Sequence, residues 1–140
     1  MDYHIDAKNK VLGRVASEIS LILQGKKSAA YQRNQVASDK VYVKNVAGLI
    51  VTGNKASDKV YRRHTGYVGH VKEKTFEEAM VKDPKWVLRH AVRKMLPQNF
   101  LTAKRLGNLI FVEPEGPKNA GKRVRPRRVT PKMKKLTYGK

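Results

Sequence analysis

Residues 118–140 contain ten Lys or Arg and no Asp or Glu. A block of that kind repels itself and offers few apolar groups, so it cannot join a hydrophobic core and is expected to stay disordered by itself. This confines folding to residues 1–117, with a boundary near Glu115-Gly116-Pro117 and a basic tail over 118–140. The 117-residue part keeps 21 of the 31 basic side chains and all 11 acidic ones, enough for one domain with a net charge of +10. The whole chain, at +20, needs a polyanion to relieve its self-repulsion. Nucleic acid is the first partner to consider. A membrane surface is the competitor, but it calls for a basic amphipathic helix or a spanning segment, and the apolar runs here are only a few residues long.

Cysteine is absent, which excludes disulfides, thiolate catalysis and cysteine zinc sites. The N-terminus, Met1-Asp2-Tyr3-His4-Ile5-Asp6, has neither the apolar stretch of a secretory signal nor the arginines of a transit peptide, so a cytoplasmic location is expected.

Apolar periodicity gives the elements. Tyr3 to Ala7 reads as a strand, Lys8-Asn9-Lys10 as a turn, and Val11, Leu12, Val15, Ile19, Ile22 and Leu23 as one face of a helix. Gly25 stands where a helix-ending glycine belongs, and Lys26 with Lys27 suits the negative end of that helix. Val41–Val43, Leu49–Val51 and the more polar Val60–Thr65 are three further candidate strands. Thr75-Phe76-Glu77-Glu78 has the spacing of a capping box. Asp83-Pro84 provides an N-cap and first-turn proline for a helix that runs through Leu96 and ends at Pro97. A short helix over Phe100–Leu106 and a strand over Leu109–Val112 close the domain. Interleaved strands and helices predict an α/β fold, with a mainly parallel sheet of about four strands.

Catalytic and ligand motifs are weak. Gly25-Lys26-Lys27-Ser28 lacks the Ser or Thr that follows a P-loop lysine, and the position five before Gly25 is Ser20. Gly13 has no companion glycines for a pyrophosphate. His4, His64, His70 and His90 are scattered without the spacing of metal ligands. No nucleophile is paired with a base. The expectation is therefore no enzyme, no metal, no cofactor and no small-molecule substrate.

Thr52 to Lys74 is more informative, because it mixes cations, glycines and aromatic rings. Lys55, Lys59, Arg62, Arg63, Lys72 and Lys74 can meet phosphates, and Gly53, Gly66 and Gly69 admit a close backbone approach. Tyr61, His64 and Tyr67 offer rings on which an unpaired base could stack. The plain alternative is a solvated loop whose charge serves solubility. In the tail, Lys122, Arg123, Arg125, Arg127 and Arg128 could serve nuclear import, membrane binding or RNA contact; the flanking prolines and forked guanidinium groups favour RNA.

The run from Val51 to Gly69, VTGNKASDKVYRRHTGYVG, resembles large-subunit ribosomal protein thirteen in its bacterial form. Ile5-Asp6-Ala7, Leu12-Gly13-Arg14, Gly25-Lys26, Asn45, Thr75–Glu78 and Met95-Leu96-Pro97 with Asn99 and Leu101 extend the likeness over about Tyr3 to Val112. The resemblance implies a three-layer α/β/α domain, bound to large-subunit ribosomal RNA beside neighbouring ribosomal proteins, important for early subunit assembly and without catalysis. It implies RNA-facing roles for Arg14, Lys26, Lys55, Lys59, His64, Thr65, Gly66, Tyr67 and Gly69, and Lys27 adds charge next to Lys26. Thr102-Ala103 stands where the family has Gly-Arg, which makes Lys104 and Arg105 the expected source of that charge. His70 replaces a family glycine, and the family's C-terminal His-Pro-His stretch is absent. A free-standing RNA chaperone and a small nucleotide-using α/β enzyme are the rival readings.

Overall fold

The computed structural model describes residues 1–29 and 31–112; the expected domain boundary and the basic tail lie outside them. Within that span the chain runs β1 (Asp2–Asp6), α1 (Leu12–Leu23), β2 (Lys40–Lys44), a 3-10 turn (Val46–Gly48), α2 (Lys55–Asp58), β3 (Val60–His64), β4 (Val71–Thr75), α3 (Phe76–Lys82), α4 (Pro84–Met95), α5 (Leu101–Gly107) and β5 (Leu109–Phe111).

Strands β1, β2 and β5 form a parallel sheet in the order β1-β2-β5. Tyr3 lies opposite Val41, Ile5 opposite Val43, and Val41 and Val43 opposite Leu109 and Phe111. Because side chains alternate along a strand, this register gathers Ile5, Val41, Val43 and Leu109, all buried, on one face. The opposite face carries Asp2, His4, Asp6, Lys40, Tyr42, Lys44 and Ile110, none of them buried. The His4 and Tyr42 rings stack on that face at 5.0 Å.

Two expectations are corrected here. The sheet has three strands, not four: Leu49–Val51 contributes only an isolated parallel bridge of Ile50 with Val11, just before α1, and β3 pairs with β4 in a separate antiparallel hairpin. A strand needs a run of free ladder groups. Here the 3-10 turn ends at Gly48 and the segment turns into α2 a few residues later. The three-layer arrangement gives way to one-sided packing among the described residues, since no helix buries the Asp2–His4–Asp6 face.

Helices α1 and α4 fill the covered side. Val15, Ile19, Ile22 and Leu23 of α1 and Val87, Leu88 and Val92 of α4 form one apolar cluster with the sheet, each fully buried side chain adding about 1.5–3 kcal/mol. The helix ends follow the predicted chemistry. After α1 the Gly25 N–H donates to the Ile22 carbonyl at 2.8 Å and the Lys26 N–H to that of Leu21 at 3.1 Å, the pattern of a Schellman cap. Gly25 sits at φ +80, and an added Cβ would approach the Ala37 Cβ to 3.1 Å. Thr75 and Glu78 form the reciprocal capping box of α3. Asp83 accepts from the Trp86 N–H at 3.1 Å at the start of α4, with Pro84 in the first turn.

Candidate nucleic-acid interface

The hairpin stands out from this body. Of residues 60–74 only Tyr61 is partly buried. Its register puts Arg62 opposite Glu73, Arg63 opposite Lys72 and Tyr61 opposite Lys74. Alternation therefore sorts the charges by face. On one face Arg62 Nε donates to Glu73 Oε1 at 2.7 Å, so the sole acid between Lys59 and Lys74 is consumed by one cation. The other face holds Arg63, Lys72 and Lys74 beside Tyr61, with no ion pair among the described residues. Like charges directly across a ladder destabilise it. Arg63 and Lys72 face each other without compensation, an arrangement that an anion would relieve.

The loop at the hairpin tip is closed by its own polar groups. Thr65 donates its N–H at 3.1 Å and its hydroxyl at 3.0 Å to the His70 carbonyl, and the Gly66 N–H donates to His64 Nδ1 at 3.0 Å. Gly66 and Gly69 have φ of +101 and +75, and a Cβ added to either would meet nothing within 4 Å. The glycines are required by backbone conformation, not by packing, and the space around them is open. Tyr67, 76 % exposed, and Val68, 98 % exposed, project from this tip.

The remaining predicted residues fall into three places. Arg14 on the first turn of α1 and Lys55 and Lys59 at the ends of α2 are exposed; Lys55 and Lys59 line a cleft of about 470 Å³ shared with Tyr61, His90 and Lys94. Lys26 and Lys27 sit at the far end of α1, about 18 Å along a helix of 12 residues, where Lys27 Nζ is 3.7 Å from Glu18 and 5.3 Å from the centre of the Tyr3 ring. Lys104 is exposed on α5. The structure thus clusters Lys55, Lys59 and the hairpin residues, and leaves Lys26 and Lys27 apart. Lys122, Arg123, Arg125, Arg127 and Arg128 lie outside the described residues.

Two predicted side chains are placed differently. Arg105 is only 2 % exposed, and its guanidinium donates to the carbonyls of Arg33 and Gln35, each at 3.3 Å. It braces the 33–35 segment and does not face solvent, which removes it from the phosphate-contacting set. Its place four residues after the buried Leu101 put it on the inward face of α5. Tyr61 is not a free stacking platform either. Its ring packs edge-on against Trp86 and His90 at 5.1 and 5.4 Å, while Trp86 and His90 stack on each other at 5.1 Å. Burial raises the Tyr61 hydroxyl pKa above its ordinary value. The His90 imidazole is held below its usual range by burial first, then by Lys94, Lys59 and Arg93.

This aromatic cluster joins the hairpin to α4, and the sequence reading missed it. A signal was present: between Pro84 and Val112 the charged residues are Lys85, Arg89, Arg93, Lys94, Lys104 and Arg105, with no acid. Among the described residues no His, Asp and Glu cluster could hold a metal ion, and no helix is long and apolar enough to cross a membrane.

Fold and surface together define a small basic α/β domain that carries cations on an exposed hairpin and along α4 and α5. Residues 1–117 match the family model described as ribosomal protein L13. The chain is 43% identical over 125 residues to the large ribosomal subunit protein uL13 of Rubrobacter xylanophilus, covering 89% of this chain and 87% of that one. It is 44% identical over 119 residues to the protein of the same name from Geobacter sulfurreducens, covering 84% and 83%. The match to that of Alkalilimnicola ehrlichii is 46% over 99 residues, covering 71% and 70%. The chain belongs to the ribosomal protein L13 family, as its resemblance implied.

Proposed function

We propose that this protein is a structural constituent of the large ribosomal subunit, working in the cytoplasm as a clamp on large-subunit ribosomal RNA that supports early assembly. The observation that carries the reading is the uncompensated face of the hairpin, where Arg63 and Lys72 oppose each other with Lys74 beside them. A ladder that places like charges together gives up stability, and RNA phosphates would return it. Relatives named as large ribosomal subunit protein uL13 support the reading that this RNA belongs to the large subunit, and the role is structural, not enzymatic.

In this reading Arg63, Lys72, Lys55, Lys59, Arg14 and Lys104 neutralise phosphates, and the open loop at Gly66 and Gly69 lets backbone N–H groups approach the sugar-phosphate chain. Tyr67 at the tip stacks on an unpaired base. Arg62 is held in reserve by Glu73. Residues 118–140 add a second block of ten cations able to neutralise phosphates. Counterion release drives affinity, so log K falls with log salt by about 0.7–0.9 for each phosphate contact.

Sucrose-gradient sedimentation of lysate, followed by hydroxyl-radical footprinting of the purified chain on a large-subunit rRNA transcript, tests this. Co-sedimentation with large subunits and a stoichiometric footprint are expected. Equal protection of an unrelated RNA of the same length, with no ribosomal fraction, would overturn the reading.

A further inference from the structure

The strongest unassigned feature is a groove of about 880 Å³ between α4 and α5, lined among others by Trp86, Arg89, His90, Arg93, Lys94 and Gln98. Residues 86, 89, 90, 93 and 94 recur at three- and four-residue intervals and so form one stripe of α4. No acidic residue lines the groove. Arg93 and Lys94 enter none of the ion pairs among the described residues, and Arg89 makes only a ring contact, 5.8 Å from the centre of Phe111. Trp86 remains 41 % exposed although His90 stacks against it. Such an indole is fixed in orientation yet open to a further ring.

The groove is also continuous with the hairpin. Tyr61 lies on the same face of β3 and β4 as Arg63 and Lys72 and meets Trp86 directly. His90 and Lys94 line both this groove and the cleft that holds Lys55 and Lys59. A strand leaving the cationic face of the hairpin would therefore pass over rings and cations without crossing an acid.

We propose that the α4–α5 groove is a second RNA-binding site, taking one unpaired nucleobase against Trp86 while Arg93 and Lys94 hold its flanking phosphates. The chemistry matches what single-stranded RNA requires: a π-face for the base, cations for the backbone, and an amide at Gln98 able to pair with a base edge. The volume falls within the range of small-ligand sites, about 300–1,000 Å³. This site rests on the rRNA-binding reading above, and its test separates the two.

Trp86 is the sole tryptophan of the chain, so the emission reports its surroundings in the groove. The full-length protein is titrated with a large-subunit rRNA transcript while binding is followed independently by filter retention. At saturation the emission is expected to fall at least about twofold, as a base stacks on the indole. Inorganic polyphosphate, which carries the charge but no bases, is added at a concentration that displaces the transcript and should restore the emission of the free protein. An R93Q/K94Q variant with an unchanged circular-dichroism spectrum should bind about tenfold more weakly and without quenching. Retention of the transcript with unaltered emission would overturn the groove and leave the hairpin reading intact, as would equal quenching by polyphosphate or an unaffected variant. Failure of the wild-type chain to retain the transcript at all would overturn both.

Discussion

The hairpin and the α1–α4 core are made from the same chain by opposite rules. In the core, Ile19, Val43, Leu88 and Val92 have no exposed surface, and the C-terminus of α1 and the N-terminus of α4 are capped. In the hairpin nearly everything is exposed, like charges are paired across the ladder, and the attachment to the body is the aromatic cluster at Tyr61 together with the junction to α3, where the Phe76 N–H donates to the Lys59 carbonyl at 2.8 Å. The buried side chains of the first region are spent on packing, and only the outer surfaces of its helices can meet a ligand. The second has little to lose from a surface substitution, and its side chains are free for a partner.

That contrast is broken most directly by a pair of truncations. Leu88→Ala removes a fully buried side chain between α4 and α1 and should cost about 2–5 kcal/mol in urea unfolding, a large share of the about 5–15 kcal/mol typical of a domain. Val68→Ala at the exposed hairpin tip should stay within about 0.5 kcal/mol. Comparable losses at both positions would mean that the hairpin is part of the folding core after all.

The neighbours Lys104 and Arg105 test the same division inside one helix. Arg105→Ala removes a buried side chain and its hydrogen bonds to the Arg33 and Gln35 carbonyls and should destabilise by about 2–3 kcal/mol, while leaving the salt slope of RNA binding unchanged. Lys104→Ala should do the reverse, with a stability change within about 0.5 kcal/mol and a slope lower by about 0.7–0.9. An RNA defect in folded Arg105→Ala protein would return that residue to the interface.

How much of this was legible depended on distance along the chain. The caps at Thr75, Asp83 and Gly25 and the apolar stripes of α1 and α4 are local patterns, and each appears where the sequence put it. The parallel order β1-β2-β5 pairs residues 38 and 68 positions apart, and nothing local encodes it. For the same reason the residues of Leu49–Val51 suit a strand, yet among the described residues their only bridge partner is Val11 at the start of α1, and a single bridge results. The site was legible as composition and opaque as pairing. Residue types gave the cations of 55–72, whereas the neutralisation of Arg62 by Glu73 and the seating of Tyr61 against Trp86 require the register of the hairpin and its place on α4. Arg105 shows the converse error: it is expected to supply the charge of the family's displaced arginine, but its place on α5 turns it inward.

Smaller effects should separate the two faces of the hairpin. Arg63→Ala and Lys72→Ala each remove a phosphate contact, and each should lower the salt slope by about 0.7–0.9 while raising stability by a few tenths of a kcal/mol, about 0.2–0.5, as the like-charge contact disappears. Glu73→Gln should change stability by no more than about 0.5 kcal/mol, because its partner is an exposed ion pair. It should nevertheless tighten RNA binding, since it frees Arg62 and removes the hairpin's acid. Filter binding across a salt series reads both signs, and weaker binding by Glu73→Gln would show that the Arg62–Glu73 pair shapes the interface.

The smallest expected effect lies at the seam between the regions, and it has a definite sign. His90 belongs to α4 but touches Tyr61 of the hairpin, and its pKa is lowered from 6.5 by burial and by the charges of Lys94, Lys59 and Arg93. A folded-state pKa below the unfolded one means that the unfolded chain binds the proton first as pH falls. The stability contribution is therefore complete above 6.5 and declines from there toward the folded pKa, a modest change because the ring is only partly buried. Bound phosphates would screen the three cations and lift the imidazole back toward its ordinary range. The complex should accordingly take up protons, and RNA affinity should rise as pH drops below 6.5. NMR titration of the imidazole Cε1 proton in free and RNA-bound protein measures both states. An identical titration in each would place the RNA away from α4, leaving the hairpin as the bound region and the seam as part of the core.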